Sequence, residues 1–300
     1  MRFGARLTAA RAAYGPLCVG IDPHPALLER WGLPDDAAGA RSFGLAVVRA
    51  VAGRVAALKP QSAFYERHGP EGIAALAEVL EAAAGAPGGT QVILDAKRGD
   101  IGSTMSGYAD AYLRSDSPFA CDALTVSPFL GVGSLAPAVS AASDSGRGLF
   151  VLALTSNPEG RAVQHAVNHS GESVAASIAR QVAELNALEL DDGEPDDGES
   201  DAGEPDARPA LGSSGLVIGA TVGRAARMLG IDLASVRGPL LAPGIGAQGA
   251  GREELEEVFG DARHLVLASV SRSVLGVGPD PDELRRAADA ATAEVAAALA

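Results

Sequence analysis

Eight short apolar runs, each followed by a stretch of helical character, restrict the fold of this chain more than any other feature. The runs lie at 17–21 (LCVGI), 55–58 (VAAL), 91–94 (QVIL), 122–126 (DALTV), 149–154 (LFVLAL), 215–219 (GLVIG), 239–242 (PLLA) and 264–268 (HLVLA). They are short and rich in Val, Ile and Leu, which suits strands covered on both faces. Helical stretches follow at 40–53, 71–84, 103–114, 132–142, 170–188, 221–229, 250–259 and 281–299. The last of these opens with Pro281, Asp282 and Glu283, a helix start signal. Strands that alternate with helices predict a parallel sheet. Eight regular units in roughly 250 ordered residues favour a closed (β/α)8 TIM barrel over a doubly wound open sheet. The reading is a single α/β barrel domain over residues 1–300.

Composition narrows the class further. Apolar residues make up 47% of the chain and aromatics only 4%, so alanine-rich helices carry much of the core. No apolar run reaches membrane-spanning length, and no basic segment followed by an apolar one marks export. Cys18 and Cys121 lie far apart and fit neither a zinc pattern nor a disulfide framework, which points to a reducing cytoplasm. The net charge of −14 is local: residues 189–206 hold ten acids and no base, and −4 remains without them. That segment, "ELDDGEPDDGESDAGEPD", has too little apolar surface to offset its ordering entropy. It predicts a disordered acidic Gly/Pro-rich surface loop, 189–210, inserted before strand 6. No basic face suits nucleic acid, so the expected partner is a small molecule and neither nucleic acid nor membrane.

Polar residues recur just after the strands. The first run leads to Asp22-Pro-His24, the second to Lys59-Pro-Gln-Ser62, and the third to Asp95, Lys97 and Asp100. Ser127-Pro, Thr155-Ser156-Asn157, "PGIGAQGAG" (243–251) and "SVSRS" (269–273) follow the fourth, fifth, seventh and eighth. Enzymes on this fold work at the carboxyl ends of the strands. A single charged loop there is ordinarily a solvated surface. Several converging on one mouth point to a site. The glycine-rich stretch opens a helix and can turn backbone N–H groups toward an anion, although alone it is equally a tight turn. With Arg272 on the next strand, it favours a phosphorylated small molecule.

If Asp95, Lys97 and Asp100 share one pocket, the two carboxylates repel, and the lysine offsets this and stays protonated. Such an array can set an ammonium group against a reacting carbon and supply a proton there. It can also press a fixed carboxylate against a substrate carboxylate. Asp95 and Asp100 as Mg²⁺ ligands are the competing reading, disfavoured by the lysine beside them. His165 and His169 stand four apart and could meet on a helix. Without a third ligand in the sequence, they read as solvated or capping groups rather than as a metal site.

Several stretches together carry a family resemblance: "PLCVGIDPHP" (16–25), "LKPQSAFYE" (58–66), "LDAKRGDIGST" (94–104), "LTVSPFLG" (124–131), "LALTSNPEG" (152–160), "GLVIGAT" (215–221), "LAPGIGAQGA" (241–250) and "SVSRSVL" (269–275). Through nearly its whole length the chain resembles the orotidine 5′-phosphate decarboxylases, of the type 2 subgroup. The Asp-x-Lys-x-x-Asp pattern alone also occurs in related barrels. With Lys59 and the Asp22 loop it is specific. The acidic segment departs from the family as an insertion. The stretch "GATVGRAARML" after strand 6 lacks the proline and acids the resemblance leads one to expect, so no site residue is assigned there.

The resemblance implies decarboxylation of orotidine 5′-phosphate to uridine 5′-phosphate without cofactor or metal, the last step of de novo UMP synthesis. It implies that Lys97 stabilises and protonates the C6 carbanion, that Asp95 sits near the departing carboxylate, and that Asp100 holds the network. Asp22 and Lys59 are implied to bind ribose hydroxyls, and Ser156 the pyrimidine. Gly246, Gln248, Gly249 and Arg272 are implied to hold the phosphate. Asp100 and Thr104 are implied to reach the neighbouring subunit's site in a homodimer with shared active sites. The Mg²⁺-dependent sugar-phosphate aldolases that resemble hexulose-phosphate synthase share the barrel and the Asp-x-Lys-x-x-Asp pattern. They carry a glutamate where this chain has Lys59. A non-catalytic phosphate-binding barrel is the third reading, and it predicts damage to the charged group, which here is intact.

Overall fold

A computed structural model shows eight parallel strands closed into a barrel in sequential order, β1 pairing with β2 and on to β8, which pairs back with β1. It describes residues 1–191, 210–245 and 251–300, so the predicted acidic loop lies almost wholly outside the described residues. The strands are β1 Leu17–Ile21, β2 Ala57–Pro60, β3 Gln91–Arg98, β4 Ala123–Val126, β5 Gly148–Leu154, β6 Ser214–Ile218, β7 Leu240–Pro243 and β8 Val266–Val270. Each of the eight expected strands is present, and the closed barrel replaces any open-sheet alternative.

Two differences between the helices and the sequence reading fall on stretches named above. The stretch 221–229 reduces to the short helix Ala225–Met228. Gly223, in a left-handed conformation at φ 56°, interrupts the path into it, and Gly230 at φ 72° follows it. His165 and His169 do not share a helix, because the short helix Arg161–Gln164 ends before His165. Among the described residues, no helix is long and apolar enough to cross a membrane.

Period-2 alternation sorts each strand into two faces. Leu17, Val19 and Ile21 of β1 pack outward with Leu58 and Leu94 against the helix layer. Cys18, Ala57, Ile93, Ala123, Phe150, Val217, Leu241 and Leu267 point inward and fill the lower lumen. The helix Phe3–Tyr14, which no sequence signal had suggested, joins that inner cluster through Phe3, Leu7 and Ala10. Phe3 meets Phe150 edge to face at 6.0 Å, and both are fully buried. This helix closes the amino-terminal end of the barrel. The lumen is therefore a packed core below, and its only polar layer of this kind lies above, among the described residues.

Candidate active site

The upper layer follows from the same alternation. Two residues beyond five of these apolar lumen positions stands a small or polar one: Gly20 and then Asp22 beyond Cys18, Lys59 beyond Ala57, Asp95 beyond Ile93, Thr125 beyond Ala123, Ser269 and then Ser271 beyond Leu267. Barrel closure brings these positions together, with Gly20 opposite Lys59 and Cys18 opposite Ser269 in register.

Asp95 is the hub. Its Oδ2 accepts a bond from Lys59 Nζ at 2.9 Å, and its Oδ1 accepts from Lys97 Nζ at 2.5 Å and from Thr125 Oγ1 at 2.9 Å. Its backbone carbonyl accepts from Ser62 Oγ at 3.3 Å and from the Ser62 amide at 3.2 Å. Burial pushes the Asp95 carboxyl up, but the Lys59 and Lys97 ammonium groups outweigh that and hold its pKa at about 2. Burial likewise disfavours the Lys59 ammonium, and the Asp95 and Asp22 carboxylates more than reverse this, so Lys59 titrates above the ordinary lysine range. A buried carboxylate held by two ammonium groups is charged at any physiological pH.

β3 runs further than expected, through Arg98 rather than stopping at Leu94. Its pairing with β4 shifts between Leu94 and Arg98. Lys97 sits in this irregularity with φ 47°, a left-handed conformation that costs a residue bearing a Cβ roughly 1–2 kcal/mol. Its amide donates to Thr125 Oγ1 at 2.9 Å, so one threonine holds both the Lys97 backbone and the Asp95 carboxylate. The Lys97 side chain remains 45% exposed, against 8% for Lys59.

A cavity of about 630 Å³ opens over this layer. Asp22, Lys59, Asp95 and Arg272, all singled out from the sequence, line it together. Lys97 does not line the cavity and is tied to it through its bond to Asp95. Asp22 accepts a 2.6 Å bond from Ser271 Oγ on Oδ2, while its Oδ1 is buried with no partner among the described residues. The Arg272 side chain has no ion-pair or hydrogen-bond partner among the described residues either. Gly246, Gln248 and Gly249 lie outside the described residues. Asp100 and Thr104 stand apart from the cavity lining. Asp100 accepts from the Ile101 amide at 2.8 Å, and Thr104 is exposed at the start of the helix Gly102–Leu113. Ser156 is exposed just past the end of β5, beside the Gly219 backbone, and does not line this cavity. Sequence reasoning gave no role to Thr125, nor to Gln61, Ser62 and Ser271, which it noted only as polar residues at strand ends. Their signal was present as polar residues in lumen phase at strand ends, but no charge drew attention to them.

Among the described residues, no group of three or more His, Cys, Asp or Glu side chains could hold a metal ion. Asp95 meets two ammonium groups where a metal-binding carboxylate needs open lone pairs.

An ion-paired polar layer over a closed parallel barrel, beneath a cavity at the strands' carboxyl ends, defines a (β/α)8-barrel enzyme. Comparison with known proteins makes this particular. The model of the orotidine 5′-phosphate decarboxylase / HUMPS family matches residues 15–287, and the chain belongs to that family and is a decarboxylase. A protein from Salinispora arenicola named orotidine 5′-phosphate decarboxylase is 52% identical over 297 residues, covering 99% of this chain and 98% of that protein. One of the same name from Streptomyces coelicolor is 53% identical over 301 residues, with coverage of 99% and 98%. A crystal structure from Streptomyces avermitilis, provisionally named as an orotidine 5′-phosphate decarboxylase, superposes with a TM-score of 0.87 at 52% identity. It covers 99% of this chain and 96% of that one.

Proposed function

We propose that this chain converts orotidine 5′-phosphate to uridine 5′-phosphate and CO2 without a cofactor, the last step of de novo UMP synthesis. The observation that carries this reading is the Lys59–Asp95–Lys97 array at the cavity floor. Asp95 faces the substrate carboxylate and destabilises it by charge repulsion. The C6–CO2 bond breaks and its electron pair stays on C6. The Lys97 ammonium stabilises that charge, gives C6 its proton, and regains one from solvent. The Thr125 bond to the Lys97 amide holds its left-handed backbone in place, which supports a preorganised role for the ammonium group. Asp22 and Lys59 hold ribose hydroxyls and Ser156 contacts the pyrimidine. Arg272 holds the phosphate together with Gly246, Gln248 and Gly249. Binding energy from the remote phosphate offsets the cost of placing a carboxylate beside Asp95. Acceleration of this reaction lies near the top of the enzymatic range, on the order of 10¹⁷.

The reading includes a homodimer in which Asp100 and Thr104 serve the partner's site. Ile101 is 61% exposed, and Phe129 and Leu130 are 75% and 53% exposed in the adjacent loop after β4. The Ser127 amide donates to the Arg98 carbonyl at 2.7 Å, which ties the two loops side by side. Apolar groups of this size beside Asp100 suit a covered face.

Loss of orotidine 5′-phosphate absorbance tests the activity directly. Turnover that persists with EDTA present supports the reading, and turnover abolished by EDTA favours the metal-dependent aldolase class. The shared site is tested by hybrids. Lys97→Ala and Asp100→Ala homodimers should each be nearly inactive, and refolding them as a mixture should restore roughly a quarter of wild-type activity, because about half the dimers are hybrids with one intact site. No recovery, with hybrids verified by native mass spectrometry, places both residues in one subunit's site.

A further inference from the structure

Ser271 occupies the N-cap position of the short helix Arg272–Leu275. A serine there ordinarily turns its hydroxyl back to a helix amide. Ser271 makes no such bond. Its backbone carbonyl accepts from Val274 and Leu275 at 3.1 and 2.8 Å, while its hydroxyl points toward the neighbouring β1 side to Asp22 Oδ2 at 2.6 Å. Gly20 provides the room. A Cβ at Gly20 would lie 2.0 Å from Ser271 Oγ and 3.1 Å from Asp22 Oδ2. Three positions on β1 and β8 are thus matched to one contact, and the contact leaves Asp22 Oδ1 buried and unpartnered among the described residues. Both Asp22 and Ser271 line the cavity, with Arg272 next in the chain.

We propose that Ser271 is a positioning residue for the sugar end of the substrate. By occupying one oxygen of Asp22, it fixes the carboxylate plane and aims the free oxygen at a ribose hydroxyl. Because Ser271 is bonded to Arg272 through the chain, the same element sets the spacing between the sugar-binding carboxylate and the phosphate-binding guanidinium. A carboxylate free to rotate would meet a hydroxyl in many geometries. One tethered at Oδ2 meets it in few. The inference rests on the sugar-phosphate reading of the cavity given above, and it deepens that reading by one residue.

The test is a double-mutant cycle read on the Kd of uridine 5′-phosphate by calorimetry and on kcat/KM for orotidine 5′-phosphate. A hydrogen bond to a charged group predicts that Ser271→Ala weakens binding and lowers kcat/KM about tenfold. In an Asp22→Ala background, the same change should alter either quantity by less than about twofold. Ser271→Thr, which keeps the hydroxyl, should stay within about threefold of wild type in both. A merely structural role would lower Tm and act equally in both backgrounds, and that result overturns the proposal. So does a Ser271→Ala variant indistinguishable from wild type. If Ser271→Ala does not fold, Gly20→Ala displaces the hydroxyl from the other side and should give a similar loss of binding. Unchanged binding there also overturns the proposal. Failure of the underlying reading looks different: wild type that binds uridine 5′-phosphate but does not decarboxylate defeats the activity and leaves the cycle on Kd to decide Ser271. Wild type that binds no uridine 5′-phosphate defeats both.

Discussion

The two ends of the barrel use the same kinds of polar residue to opposite effect. At the amino-terminal end, Arg6 on the helix Phe3–Tyr14 donates to Gln91 Oε1 at 3.1 Å, the Gly146 carbonyl at 2.7 Å, the Met1 carbonyl at 3.0 Å and Asp122 Oδ1 at 2.8 Å. Asp122 Oδ2 in turn accepts from the Val92 amide at 2.8 Å. Each guanidinium nitrogen and both carboxylate oxygens are partnered. At the carboxyl-terminal end, the exposed Arg272 side chain has no partner, and the buried Asp22 Oδ1 has none, among the described residues. Buried polar groups are nearly always paired in a folded chain. The Arg6–Asp122 network holds the fold together, whereas the open Asp22 oxygen lies in the cavity lining, where a ligand can complete it. The comparison thus separates residues whose loss should cost stability from those whose loss should cost binding or chemistry.

The largest effect is expected at Lys97. Lys97→Ala removes the proposed proton donor but leaves Asp95 paired with the buried Lys59. Turnover should fall by more than about 10⁴-fold, as for loss of a group that acts mainly in the transition state. Uridine 5′-phosphate should still bind, and Tm should change little. Retained turnover within tenfold of wild type would remove Lys97 from its role.

Arg272→Ala comes next. It should raise KM on the order of 100-fold through loss of a charge-assisted phosphate contact, without lowering Tm. In wild type, added phosphite dianion should speed turnover of a substrate that lacks the phosphate. A lack of response would break the link between remote binding and chemistry.

The opposite pattern is expected at the other end. Arg6→Ala strands Asp122 and frees the closing helix, at a cost of roughly 2 kcal/mol. Thermal unfolding should shift down by about 4 °C. kcat per folded molecule should remain as in wild type. If kcat falls while Tm holds, the division between the two ends is wrong.

The last effect is confined to acid pH, and it blurs that division. The Asp95 pKa of about 2 lies below the ordinary 3.8, so its ion pairs also stabilise the fold. That contribution is complete above about pH 4 and is lost as pH falls toward about 2, a change of roughly 2 kcal/mol. Asp95→Asn should therefore flatten the stability profile between these limits, measured by urea unfolding. Parallel profiles for the two proteins would show that the floor of the site contributes nothing to acid stability.

Much of this was legible in the chain itself. The eight strands were visible from apolar runs and spacing, since each strand is a local pattern. The charged residues of the site were visible too. Asp22, Lys59, Asp95 and Arg272 each stand at a strand end, and the structure brings all four to one cavity. The closing helix Phe3–Tyr14 was not legible, because it carries no marked apolar stripe and its burial depends on a lumen that exists only after closure. The shortened helix after β6 escaped because the backbone conformation of Gly223 outweighed helical character in its neighbours.

Strand count, lumen phase and the identity of the charged residues were thus determined by the sequence alone, since periodicity of two and local composition encode them. Which groups are saturated was decided only by tertiary structure. Ser271 and Asp22 lie 249 positions apart and meet only because β8 closes onto β1. Arg6 and Asp122, 116 positions apart, meet only because a helix outside the barrel repeat folds under it. The left-handed turn at Lys97 depends on the shifted pairing of β3 with β4, which no pattern within either strand specifies. A hydrogen bond needs two partners within about 3 Å, and closure of the sheet is what sets that distance.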